Sequence, residues 1–236
     1  MRNAGIAALL LFILTMPPVL FAESSAENLQ RAPRFALNFG VGIGIPNMGR
    51  PMPFNQVGIN RYYGEYSGNF ECLVRPLRLS IGMGYEFLNP KGEGNESQPH
   101  AGPRPFFIGF PTHGVFALVD KRWQVLKNPL ALEVHGTIKG GHYWSSHNYT
   151  YPEWTFTNIV GVQGTLPETQ TSFHDSRWGT ELVGGISWLP TKHFAFGIDG
   201  GYRWLKFHVV ELAATGVSNE TDYSGPTMRF RVSTRF

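Results

Sequence analysis

From Phe35 onward, apolar residues recur at every second position. Phe35, Leu37, Phe39, Val41, Ile43 and Ile45 alternate with Ala36, Asn38, Gly40, Gly42 and Gly44. The same period returns at Leu77–Phe87, Leu130–Ile138, Phe194–Trp204 and Met228–Phe236, with looser versions at Gly68–Val74, Ile108–Leu118 and Trp178–Trp188. Strict alternation over such lengths predicts β-strands with one apolar face, and these runs make eight strands. Their connections alternate in length. Long polar segments are expected at 46–66, 89–105, 142–176 and 207–225, and short ones around Pro76, 120–129 and 189–193. A soluble sandwich gives no reason for that alternation. A transmembrane barrel does, with short turns on one side and long loops on the other. Each strand is long enough to cross a bilayer when tilted.

The polarity of the two faces agrees. The repeating face is apolar and ends in aromatics such as Tyr85, Trp178, Trp188, Tyr202, Trp204 and Phe236, as interfacial girdles do. The opposite face carries the acids Glu71, Glu86, Glu133, Glu181 and Asp199. Its bases are Arg75, Arg78, Lys139, Arg203, Arg229, Arg231 and Arg235, with His135 among them and His113 a further candidate. An eight-stranded lumen is only wide enough for side chains to fill. Charges there must pair, so the near balance predicts a salt-bridged plug, with Asp199 meeting Arg229 or Arg231. Inward Gly40, Gly42 and Gly44 are expected to make room for those arginines.

Composition sharpens this picture. Only 16% of residues are charged and 14% are aromatic, so a helical bundle and a disordered chain are both disfavoured. The net charge of +3 is too small to make nucleic acid the expected partner. Arg2, the apolar run Ala4–Met16 and small Ala22 read as an export signal over residues 1–22. A short periplasmic segment over 23–33 and a barrel over 34–236 follow it. Cys72 is the single cysteine, so no disulfide holds the fold.

The export signal, the eight alternating strands and the ending MRFRVSTRF resemble the small eight-stranded outer-membrane barrels of the OmpA/OmpX type. The resemblance implies an all-β, antiparallel transmembrane barrel in the bacterial outer membrane, with periplasmic turns and four long extracellular loops. It implies lipid and lipopolysaccharide around a monomer. It also implies that Met228, Phe230, Val232, Thr234 and Phe236 form the signal read by the barrel-assembly machinery; Thr234 departs mildly from the apolar pattern.

Fold alone does not give function. Glu133, His135 and Thr137 share one strand face and form one catalytic candidate. The segment from His142 through Ser145 to Asn148 faintly resembles the His-x-Ser-Asn stretch of lipid A deacylases, although the nearest serine stands three residues after His142. His142, His147 and His174 follow no metal-binding spacing, and no motif calls for a cofactor. Tyr143, Trp144, Tyr149, Tyr151 and Trp154 fall in the third long segment, where exposed aromatics can anchor a surface ligand or pack on one another. The sequence therefore supports a structural or surface-interaction role first. A lipid A-modifying enzyme and a narrow pore are the alternatives.

Overall fold

The computed structural model describes residues 34–46, 58–59, 62–74, 79–98, 102–126, 131–158, 160–209 and 219–236. The segments expected over 1–22 and 23–33 lie outside these residues, as do Arg75 and Arg78. The chain forms β1 (Phe35–Gly44), β2 (Gly58–Ile59), β3 (Tyr63–Val74), β4 (Leu79–Asn89), β5 (Lys91–Gln98), β6 (Gly102–Gly109), β7 (Thr112–Leu126), β8 (Leu132–Tyr151), β9 (Trp154–Thr157), β10 (Gln163–Leu166), β11 (Thr169–Thr191), β12 (Phe194–Trp204), β13 (Lys206–Val209), β14 (Asn219–Asp222) and β15 (Gly225–Arg235).

Eight of these strands close into an antiparallel ring in the order β1, β3, β4, β7, β8, β11, β12, β15. Closure runs from Ala36↔Arg235 to Gly44↔Thr227 between β1 and β15. At the loop end β5–β6, β9–β10 and β13–β14 form antiparallel pairs, and β2 adds to the edge of β5. β5–β6 extends the sheet and docks on β8 through Phe107↔Thr150. At the turn end, Lys192 and His193 join β11 to β12, and the Thr191 hydroxyl accepts the His193 and Phe194 amides at 3.3 and 3.1 Å.

The alternation sorts as expected on most strands. Phe39 is 61% exposed, Met83 70% and Trp178 78%, all on the outside of the ring, while Glu71, Glu86, Glu181, Asp199 and Arg203 are buried inside it. Cys72 faces outward.

Several expectations are corrected. β7 puts Thr112, Gly114, Phe116 and Leu118 inside and His113, Val115, Ala117 and Val119 outside, so the stripe read there as bilayer-facing fills the lumen. His113 is exposed, with the Tyr85 hydroxyl against its Nδ1. The cause is local space: a Cβ on Gly84 would stand 2.6 Å from the tip of the Phe116 ring and one on Gly141 2.7 Å from the Phe116 Cβ, so these glycines leave room for the side chain. Ile108 belongs to β6, and Phe110 lies between strands. Strands also run further than expected. β3 starts at Tyr63 and β7 continues to Leu126. β8 and β11 stay paired up to Tyr151↔Thr169, so most of the third expected loop is a ladder.

Candidate functional site

Two layers of charge fill the ring. The layer nearer the loop end centres on Arg203, which is fully buried. Its Nη2 lies 3.0 Å from Glu65 Oε2 and 3.2 Å from Glu181 Oε2 and also meets Glu86, while its Nη1 donates to the Tyr63 hydroxyl at 3.0 Å. Lys139 Nζ reaches Glu86 at 2.6 Å and Glu181 at 2.5 Å and sits 4.5 Å over the Phe116 ring. Arg229 pairs with Glu65 and Glu181. The Thr227 and Tyr143 hydroxyls donate to Glu181 and Glu86 at 2.7 and 3.1 Å.

The layer nearer the turn end joins three smaller groups. Arg122 pairs with Glu71 and, at 2.5 Å, with Asp120, which also accepts the Thr137 hydroxyl at 2.5 Å. Asp199 lies 3.1 Å from His135 Nε2 and 3.6 Å from Arg231 Nε. Arg231 Nη2 is also 3.0 Å from the ring nitrogens of His135 and donates to Ser187 at 3.0 Å. Arg235 grips Glu133 with two bonds of 3.0 and 2.7 Å. Between the layers is a cavity of about 30 Å³, room for little more than water.

Glycines set these approaches. A Cβ on Gly185 would lie 2.4 Å from His135 and 2.5 Å from Asp199, and one on Gly42 would lie 2.6 Å from Arg229. Gly44 instead accommodates Tyr63, 2.1 Å from where its Cβ would be. Asp199 stands beside Arg229 in strand register but pairs with Arg231. Sequence reasoning missed Glu65, Asp120 and Arg122. Each continues the inward alternation of its strand past the expected boundary, through Ser67 and Asn69 to Glu71 on β3 and from Leu118 on β7.

Above the charges, the lumen becomes aromatic. Tyr63, Leu88, Phe106, Ile108, Phe110, Tyr143, Tyr149, Leu205, Phe207 and Tyr223 form one buried cluster. His147 points into it, 4.9 Å from the Phe110 ring and 5.9 Å from Phe207. Burial, only partly countered by Asp175, pushes the His147 imidazole down to about 4. Burial also pushes the Tyr149 phenol up to about 12 and that of Tyr223 well above its usual range.

The aromatics expected on a loop are corrected by this arrangement. Tyr143 and Tyr149 are core residues of β8. Tyr151 packs against the same core and under Arg104, 5.1 Å from its ring centroid. Trp154 stacks on Phe156 at 5.3 Å within the β9–β10 hairpin. Trp144 alone of the five is classed as exposed, on the outer face beside His142. The catalytic candidates are not brought together either. Ser145 faces inward and takes the Thr112 hydroxyl at 2.8 Å, whereas His142 lies on the outer face against Trp178. Glu133 and His135 turn to separate partners, Arg235 and Asp199. Met228, Phe230 and Phe236 are exposed on the outside of β15, with Val232 and Thr234 between them on the same face. The Phe236 carbonyl accepts the Arg34 and Phe35 amides at 3.0 and 2.9 Å.

No family model and no curated protein matches this chain. Among solved structures, the outer membrane protein OprG from Pseudomonas aeruginosa is similar at a TM-score of 0.51 and 9% identity, covering 87% of this chain and 96% of that one. The attachment invasion locus protein Ail of Yersinia pestis aligns at a TM-score of 0.40 and 10% identity, over 87% and 99%. At such identities the likeness concerns fold alone. The fold is that of the small eight-stranded outer-membrane β-barrels of the OmpA/OmpX type, and it points to the bacterial outer membrane.

Proposed function

We propose that this barrel is closed to solutes and acts at the cell surface through the sheet it raises above the bilayer. One feature of β11 carries the reading. Its ladder with β12 ends at Thr180↔Trp204, yet the strand continues back to Thr169, paired along that stretch only with β8 among the described residues, with β13 packed beside it but forming no ladder with it. The Leu189 amide bonds toward the β8 side, to the Ala131 carbonyl at 2.8 Å. Donors and acceptors alternate sides along a strand, so the even-numbered residues Gln170, Ser172, His174 and Ser176 direct theirs to the open edge. The Ser176 amide is occupied by the Asp175 carboxylate at 2.7 Å.

An open edge is a template for a further strand, and main-chain pairing with an extended peptide is a standard mode of recognition. The partner on this reading is an extended polypeptide segment outside the cell. Selection of a displayed library of extended peptides against the detergent-folded barrel tests it. Ser172→Pro removes an edge donor while sparing the backbone ladder with β8, and should weaken the selected peptides by about tenfold, the equivalent of one backbone hydrogen bond; Ser172→Ala, which loses only the hydroxyl bond to Asn148 Oδ1 at 2.8 Å, should bind them as the parent does. Peptides that bind Ser172→Pro as well as the parent, or a selection that enriches none, would refute the reading.

Lipid hydrolysis at the outer face is a second reading with one observation in its favour. The Ser146 hydroxyl lies 3.0 Å from His174 Nδ1 across β8 and β11. Deacylation of lipid A that disappears in both Ser146→Ala and His174→Ala would establish it; activity that survives either change would dismiss it.

A further inference from the structure

The bilayer-facing wall contains a trough that no part of the surface reading uses. Its floor is made by Ala117 and Gly140, paired across β7 and β8. Leu37 and Phe39 on β1, with Phe70 and Met83 on β3 and β4, stand at one end, and His142 and Trp178 at the other, on β8 and β11. The depression holds about 660 Å³ and spans roughly 24 Å across the strands at their usual spacing. A Cβ at Gly140 would meet nothing nearer than Thr180 at 4.0 Å, so the floor is bare rather than packed.

We infer that this trough seats one acyl chain of a lipid A molecule of the outer leaflet. The trough is continuous with the exposed apolar belt, which already contacts acyl chains, and an unfilled concavity there forfeits dispersion contacts on one side. A second barrel does not fit it. Two convex walls meet along a line, and Met83 and Trp178, 70% and 78% exposed, would hold such a wall off the floor. A flexible chain reaches between them.

The direction of entry selects the leaflet. Beyond His142 and Trp178 the outward residues of β8 become Trp144, Ser146 and Asn148, the interfacial and then polar sequence of the loop end. The outer leaflet of a bacterial outer membrane is built from lipopolysaccharide, so its chains are the ones presented there.

The experiment uses the full barrel extracted from outer membranes in mild detergent, washed, and examined by native mass spectrometry for retained lipopolysaccharide. The parent should keep a bound molecule. Gly140→Phe, which fills the floor from the outside, should lose it while its folded, heat-modifiable migration on gels is unchanged. Val41→Phe, on the exposed face of β1 but not among the residues that line the trough, should behave as the parent. Ala117→Phe fills the same floor from the neighbouring strand and serves if Gly140→Phe does not fold. Equal retention by the parent and a folded floor-filling variant would overturn the inference. So would a parent that carries no lipopolysaccharide, or one that retains glycerophospholipid in its place.

Discussion

Along β8 the inward residues Glu133, His135 and Lys139 are polar, and the outward Leu132, Val134 and Ile138 are apolar. Further along the same strand, the inward Tyr143 and Tyr149 belong to an aromatic core, and the outward Ser146, Asn148 and Thr150 are polar. The changeover falls at Tyr143, whose ring lies in the aromatic cluster and whose hydroxyl donates to Glu86. Below it the wall is an inverted protein, with lipid outside and ions inside. Above it the wall is an ordinary one, with water outside and a hydrophobic core inside. One tube therefore relies on two different forces. Below, charges hold because each has a partner and the surrounding hydrocarbon offers no alternative. Above, burial of rings from water does the work.

The largest expected effect comes from breaking the lower regime. Arg203→Ala removes the one cation that meets all of Glu65, Glu86 and Glu181, leaving Lys139 and Arg229 to balance three buried carboxylates. Uncompensated buried charge costs about 3–5 kcal/mol, so the urea midpoint of the detergent-folded barrel should fall sharply. A change below about 1 kcal/mol would mean that water screens this layer.

Truncation in the upper regime should cost a similar amount but stay local. Phe207→Ala removes a fully buried ring beside Tyr223, which costs about 3 kcal/mol or more by cavity formation. The barrel should keep its heat-modifiable migration, while hydrogen exchange accelerates in β6, β13 and the far ends of β8 and β11. Loss of the whole barrel would show that the two regions are one cooperative unit.

Acid should likewise separate the regions. His147 is held neutral by burial, with its folded value near 4 against the ordinary 6.5. The unfolded form therefore binds the proton first. Stability is full above about pH 6.5, falls as the pH drops toward 4, and is level below that, a loss of about 3 kcal/mol. Proteolysis of the upper sheet at graded pH reads this directly, and His147→Phe should flatten the profile. An unchanged profile in that variant would assign the acid sensitivity elsewhere.

The smallest effect concerns the tip. Arg104 donates to the Pro152 and Pro167 carbonyls at 3.2 and 2.7 Å, tying together the ends of β8 and β11. Arg104→Ala should cost about 1–2 kcal/mol, seen as faster exchange near Tyr151 and Thr169 with no change in the ring.

The same changeover explains what was legible beforehand. The lower wall could be read because its apolar residues keep one phase against lipid, from Leu132 to Ile138 and from Leu182 to Ile186. Where the bilayer ends, the apolar set moves from even to odd residues, to Tyr143, Tyr149 and Tyr151. A reader following the first phase sees the pattern fail and expects a loop. The missed charges have a related cause. Glu65, Asp120 and Arg122 sit where their strands outrun the apolar stripe, so alternation continued without its marker. β7 misled in a different way: Phe116 and Leu118 carry the apolar signal but enter the lumen, in space left by Gly84 and Gly141, which only the neighbouring strands reveal.

On this reading the tube is filled from end to end, by ion pairs and then by rings. Conductance of the purified monomer in a planar bilayer tests it most directly. No steady current is expected at neutral pH, because Arg203 and its carboxylates, and Tyr223 and its aromatic neighbours, both close the path. Large, steady, ohmic currents from the parent protein would contradict it.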